Sequence, residues 1–205
     1  MKTKNFIFIF LFMVLSVSVC SCAKKITNMD SDGERIICFG DSLTLGIGVN
    51  RENTYPAYLT GMLRKNIEVV NSGVNGDTSA DALERLFQDV LSQEPRLVVI
   101  FLGTNDFYQG VPYDQTHKHI SEMIDKIHDF GAMVCIVSFN NRKMRNKYLE
   151  GYYNLSEAYN TLLVPDVMEN IWGHPLNKVD WLHPDERGNE MIAERIYDVI
   201  KKYLK

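Results

Sequence analysis

The chain has 205 residues, 45% of them hydrophobic and 23% charged, which suits one globular domain with a sizeable core and leaves little length for a second. With 22 basic residues against 26 acidic ones, the formal net charge of −4 offers no basic surplus to neutralise phosphates, and this excludes a nucleic-acid partner. The four cysteines form no CxxC pair or other metal-ligand spacing, so no metal site is expected.

Lys2 and Lys4 precede an apolar run over residues 6–19 in which only Ser16 and Ser18 are polar. The run is short for a membrane-spanning helix of roughly 20 residues, and its basic start and small-residue end are the layout of an export signal. Val19-Cys20-Ser21-Cys22 resembles a bacterial lipoprotein box, with Cys22, after the small Ser21, as the residue expected to carry the lipid. Removing residues 1–21 takes away two lysines and no acid, leaving 20 basic against 26 acidic residues, a charge of −6. That balance disfavours polybasic attachment and leaves the lipid as the anchor of an exported, envelope-bound protein. Residues 22–34 are polar and aperiodic and read as a tether. The dozen from 23 to 34 would reach about 40 Å if extended.

The domain is expected over residues 35–205. Short apolar runs at 36–39, 67–70, 97–102, 133–137 and, more weakly, 161–164 read as strands. Between them, Leu83, Leu86, Phe87, Val90 and Leu91 share one helical face, as do Ile120, Met123, Ile124 and Ile127. Met191, Ile192, Ile196, Val199, Ile200 and Tyr203 form a third such face at the end of the chain. Continuous apolar strands imply burial on both faces, and strand–helix alternation implies a parallel sheet. The predicted fold is therefore an α/β three-layer sandwich with a five-stranded parallel sheet in flavodoxin-like order 2-1-3-4-5. Cys38 and Cys135 fall on strands two apart, about 10 Å at the usual strand spacing and beyond disulfide reach, so both are expected as buried free thiols.

In such a sheet, ligands bind beyond the carboxyl ends of the strands. Those ends carry Gly40-Asp41-Ser42, the stretch 71–76, Gly103-Thr104-Asn105-Asp106 and Asn140-Asn141, with Asp180-Trp181-Leu182-His183-Pro184 following the last run. Gly, Asp and Ser are ordinary turn formers, and a turn alone would explain the first group. Acyl transfer, however, needs a nucleophile, a base, a group that orients the base, and donors for the oxyanion. Ser42 can be the nucleophile at a helix start, His183 the base, and Asp180, three residues earlier, the group that fixes its tautomer. Pro184 suits the first turn of the closing helix, where it would hold His183 at a rigid boundary. Gly73 permits close approach of a backbone N–H, and the Asn105 side-chain amide is a neutral donor.

Other candidates have plainer readings. Arg51 stands where a GxGxxG loop over Gly46 and Gly48 needs its last glycine, and Thr44 breaks a GxSxG elbow. Asp41 and Asp106 read as structural hydrogen-bonding groups. His117 and His119 point apart on a helix start, and His128 and His174 read as surface residues. Phe107 and Tyr108 line an acyl groove or pack in the core, and both remain open. The basic stretch Arg142, Lys143, Arg145 and Lys147 reads as a solvated loop.

GDS at 40–42, the glycine of NSGVNGDTS, GTND at 103–106 and DWLHP at 180–184 resemble, in order, the four blocks of the GDSL/SGNH hydrolase family. The fuller stretches GDSLTLGIGVNRENTYPAYL, FLGTNDFYQGVP and VDWLHPDERGNEMIAERI are similar to its thioesterase I, arylesterase and lysophospholipase L1 branch, apart from Thr104 where that branch often has glycine. The resemblance implies a Ser42–His183–Asp180 triad and an oxyanion hole of the Ser42 and Gly73 N–H groups and Asn105. It further implies cofactor-free hydrolysis of small-molecule acyl esters or thioesters through an acyl-serine. Two alternatives stand beside it: an O-acetylesterase acting on acetylated glycans, and a catalytically silent binding domain using the same crevice.

Overall fold

The computed structural model describes residues 25–64, 67–140 and 147–204. The expected export signal, Cys22, Arg142, Lys143 and Arg145 lie outside these residues. Five strands, β1 (Arg35–Gly40), β2 (Glu68–Gly73), β3 (Pro95–Phe101), β4 (Met133–Val137) and β5 (Leu162–Val164), form one parallel sheet in the order β2-β1-β3-β4-β5. The order is the one expected from the alternation of apolar runs with helical faces.

Among the described residues, seven α-helices accompany the sheet: α1 (Ser42–Leu45), α2 (Tyr55–Met62), α3 (Ser79–Asp89), α4 (Thr104–Gln109), α5 (Tyr113–Asp129), α6 (Lys147–Tyr159) and α7 (Glu186–Ile200). α2 and α7 pack together on one face of the sheet, while α3, α5 and α6 follow one another across the other. Burial follows strand position. β1, β3 and β4 are buried almost throughout, as their continuous apolar sequences require, whereas β2 at the edge is half exposed and carries Glu68, Asn71 and Ser72. Cys38 and Cys135 sit in one row of the sheet on either side of Val99, as separate buried thiols. Burial raises the thiol pKa of both, that of Cys38 to about 12.

Two expectations need correction. The stretch read as a free tether is docked at residues 26–28. Ile26 is only 3% exposed, Thr27 donates its N–H to Asn160 O (3.1 Å), and Asn28 Nδ2 donates to His128 O (2.8 Å) and Ala132 O (3.0 Å). These contacts lie just ahead of β5 and β4, at the amino-terminal edge of the sheet. Phe87, assigned to the buried face of α3, is 67% exposed. The helix ends at Asp89 and Val90 leaves helical geometry, so Val90 and Leu91 reach the core without continuing the face that includes Phe87.

Candidate active site

β1 ends at Gly40, and the chain turns at once into α1, a single helical turn. Asp41 caps it by accepting the Leu43 N–H (2.9 Å), and Gly46, at φ +86°, closes it by donating to Ser42 O (3.0 Å). Ser42 is therefore held by backbone on both sides at the carboxyl edge of the sheet. β2 runs three residues further than its apolar run, so Gly73 is its last residue, paired with Gly40 and lying under α1. A Cβ on Gly73 would stand 2.2 Å from Leu45 N, a contact no side chain tolerates. Asn71 fastens the same junction by donating to Thr44 O (2.9 Å) and accepting the Gly73 N–H (3.0 Å).

His183 reaches this turn from the other end of the chain. Its Nε2 lies 3.0 Å from Ser42 Oγ and its Nδ1 2.7 Å from Asp180 Oδ2. Asp180 Oδ1 accepts the N–H groups of Leu182 and His183, both at 2.7 Å, so the carboxylate organises its own loop as well as the imidazole. Burial pushes the Asp180 carboxyl up, but the His183 side chain and the two backbone donors outweigh it and bring the pKa down to about 2. Trp172 Nε1 donates to Leu182 O (2.8 Å) and Val179 N to His183 O (3.0 Å), which completes the loop.

Pro184 is not in the first turn of the closing helix. α7 starts at Glu186 with Asp185 as its cap, and Pro184 instead pairs with Lys178 in an isolated antiparallel bridge. The boundary behind His183 is made rigid by that bridge and by Asn189, which donates to Pro184 O (3.2 Å) and accepts the Tyr55 N–H (3.0 Å).

Asn105 follows β3 on α4, whose cap Gly103 adopts φ +106°. Its Nδ2 donates to Asp77 O at 2.8 Å and makes a long contact with Asp41 Oδ2 at 3.4 Å, which sets the amide beside the Ser42 turn. Asp41 and Asp106 are structural. Burial raises the Asp41 carboxyl to about 7, and Asp106 accepts from Ser79 N (2.8 Å), Ser79 Oγ (2.5 Å) and Thr116 Oγ1 (3.1 Å), locking α4 onto α3 and α5.

His117 and His119 do turn to different neighbours, Tyr113 O and Ser79 Oγ. Among the described residues no three His, Cys, Asp or Glu side chains are grouped to hold a metal. His128 is half buried rather than a surface residue, and burial lowers its pKa. Of the aromatic pair left open, Phe107 packs inward against Tyr148, while Tyr108 is 40% exposed and meets the 66% exposed Trp181 edge to face at 5.1 Å. Leu45, Val74 and Val179, near Ser42, Gly73 and His183 in the chain, are also exposed. Asn71, Asp77, Arg85 and Asn189 each bond a residue in a distant block of the chain (Thr44 O, Asn105 Nδ2, Gly40 O and the Tyr55 N–H), and those long-range bonds leave no short-range sequence signal.

A family model described as the GDSL-like Lipase/Acylhydrolase family matches residues 38–191. The chain is similar to an arylesterase of Vibrio mimicus, 29% identical over 184 residues that cover 83% of this chain and 90% of that protein. It is also similar to thioesterase 1/protease 1/lysophospholipase L1 of Escherichia coli K12, 25% identical over 167 residues, 78% of this chain and 80% of the other. Among solved structures, a crystal structure of TesA superposes with a TM-score of 0.78 at 26% identity, covering 83% of this chain and 99% of that one.

Proposed function

We propose, for a chain that belongs to the GDSL-like Lipase/Acylhydrolase family and is a serine esterase hydrolysing ester bonds, that Ser42 is the nucleophile, His183 the general base and Asp180 its orienting partner. The observation that carries this reading is the unbroken chain from Asp180 Oδ2 through the imidazole to Ser42 Oγ, at 2.7 and 3.0 Å. In the acylation step His183 Nε2 takes the Ser42 proton as Oγ bonds to the carbonyl carbon. The negative charge on the carbonyl oxygen is received by the Ser42 and Gly73 N–H groups and by Asn105 Nδ2. Asn105 supports this part because its short bond to Asp77 O holds the amide while the long contact to Asp41 leaves the second proton available. Gly73 has to share its N–H with Asn71 Oδ1 or release it. Collapse of the intermediate breaks the bond to the alcohol or thiol, which leaves with the proton from His183. Water then repeats the sequence on the acyl-serine and releases the acid.

The substrates proposed are acyl esters and thioesters with an apolar acyl or aryl group. The exposed Trp181–Tyr108 pair beside His183 supports this, since two large aromatic faces left in water next to a nucleophile are a surface that an apolar group would cover. The test is hydrolysis of p-nitrophenyl esters from acetate to laurate. Turnover extending to medium chains is expected. Turnover confined to acetate would instead indicate an O-acetylesterase of glycans, and no turnover with no fluorophosphonate labelling would indicate a silent binding domain. On decanoate, Trp181→Ala is expected to lower kcat/KM roughly tenfold, with less than about a twofold change on acetate, because only the longer chain reaches the indole. Equal losses on both esters would remove Trp181 from the acyl wall.

The protein is further proposed to be exported and held at a membrane by a lipid on Cys22, a reading supported by the basic, apolar and small-residue order of residues 1–22. Among the described residues no helix is long and apolar enough to cross a membrane. In a bacterial host, Cys22→Ala is expected to move the protein from the membrane to the soluble fraction. Retention in the membrane would overturn the anchor.

A further inference from the structure

Arg85 lies on α3, 43 positions after Ser42 in the sequence, and none of its bonds is to the Ser42, His183 or Asp180 side chains. Its guanidinium is nonetheless fixed in every direction. Nη2 donates to Gly40 O (3.0 Å) and Ser72 O (3.1 Å), Nε to Asp77 Oδ2 (2.6 Å) and Nη1 to Asp89 Oδ2 (3.0 Å). Its Cζ sits 4.4 Å above the centre of the Phe39 ring. The first three acceptors have something in common. Gly40 leads into the Asp41-Ser42 turn, Ser72 immediately precedes Gly73, and Asp77 is the residue whose carbonyl accepts the Asn105 amide.

We infer that Arg85 is a positioning residue of the oxyanion hole: by bonding the Gly40 and Ser72 carbonyls and the Asp77 carboxylate with one planar fork, it sets the mutual spacing of Ser42 N, Gly73 N and Asn105 Nδ2. The inference rests on the proposed role of those three donors. Arginine suits the task because its five N–H groups are held rigidly in one plane, whereas a lysine ammonium is a single flexible point. Misplacing a preorganised donor by about 1 Å costs on the order of a hundredfold in rate, so the side chain that spaces three donors has a large lever on kcat without touching substrate.

The test compares the wild type with Arg85→Met, Arg85→Lys, Asn105→Ala and the Arg85→Met/Asn105→Ala double variant, using p-nitrophenyl butyrate and near-UV circular dichroism to establish the folded fraction. Arg85→Met is expected to lose about 30- to 100-fold in kcat per folded molecule with KM within about threefold, the signature of an interaction felt only in the transition state. Arg85→Lys keeps the charge and is still expected to lose at least about tenfold. The double variant is expected to lose much less than the product of the single losses, since both changes spoil the same hole. A kcat within about threefold of wild type in Arg85→Met overturns the inference, and so does a multiplicative double variant. If Arg85→Met does not fold, Arg85→Lys decides by the same kcat criterion. An Asn105→Ala variant that retains wild-type kcat would show that the oxyanion reading itself is wrong, and the Arg85 inference falls with it.

Discussion

Ser42→Ala is expected to lower kcat toward ester substrates by about 10⁴-fold or more while leaving the fold intact. The hydroxyl makes one side-chain hydrogen bond, to His183 Nε2, and the turn around it is held by backbone and by Asp41. Alanine therefore removes the nucleophile without removing a brace. Residual turnover would come from water oriented by the imidazole and the oxyanion donors, a route worth far less than covalent catalysis. Matching kcat values for the wild type and the alanine variant would mean that Ser42 is not the nucleophile.

Asp180→Asn is expected to cost about 10³- to 10⁴-fold in kcat, for a reason that lies in its two oxygens. Oδ1 takes two backbone N–H groups and Oδ2 faces the imidazole Nδ1. Asparagine has one acceptor. If its oxygen keeps the backbone donors, its NH₂ turns toward Nδ1, forcing the ring proton onto Nε2, where it can no longer accept from Ser42. The same carboxylate has a thermodynamic signature. Its pKa falls from an ordinary 3.8 to about 2 on folding, so its stabilising contribution is complete above 3.8 and is lost as pH falls through about 2. Urea unfolding of the wild type should show that loss in this window, and Asp180→Asn should lack it. An asparagine variant with wild-type kcat would leave the imidazole without need of its carboxylate.

Much of the scaffold was legible because its signals are local. Apolar runs of the core strands, helical periodicity in α3, α5 and α7, and turn residues after each strand are features of neighbouring residues, and together they define the strand order. Ser42, Gly73, Asn105, Asp180 and His183 could be picked out because parallel topology sends every such turn to one edge. What was not legible depends on distant partners. Ile26 is one apolar residue in a polar stretch and shows no period, yet it docks because the segments leading into β4 and β5 offer Asn28 and Thr27 carbonyl acceptors. Pro184 looked like a helix start because the bridge to Lys178 forms only after the loop has closed. Arg85 is one polar residue among many on α3, and the Gly40 and Ser72 carbonyls it bonds are brought to it only by folding.

The docked residues 26–28 also bear on how the proposed anchor would orient the domain. They grip the rim where β4 and β5 begin, while Ser42 stands where β1 ends, so the two lie at opposite poles separated by a strand's length, roughly 15–20 Å. Lys25, the exposed residue that directly precedes residues 26–28, lies on that same side of the molecule. Cys22 precedes Lys25 by three residues in the sequence. A lipid, a bead or a sensor surface attached there would seat the protein base down, with its mouth turned outward to whatever diffuses past. The substrates within reach would then be those arriving from the opposite side, not those lying in the surface to which the base is fixed.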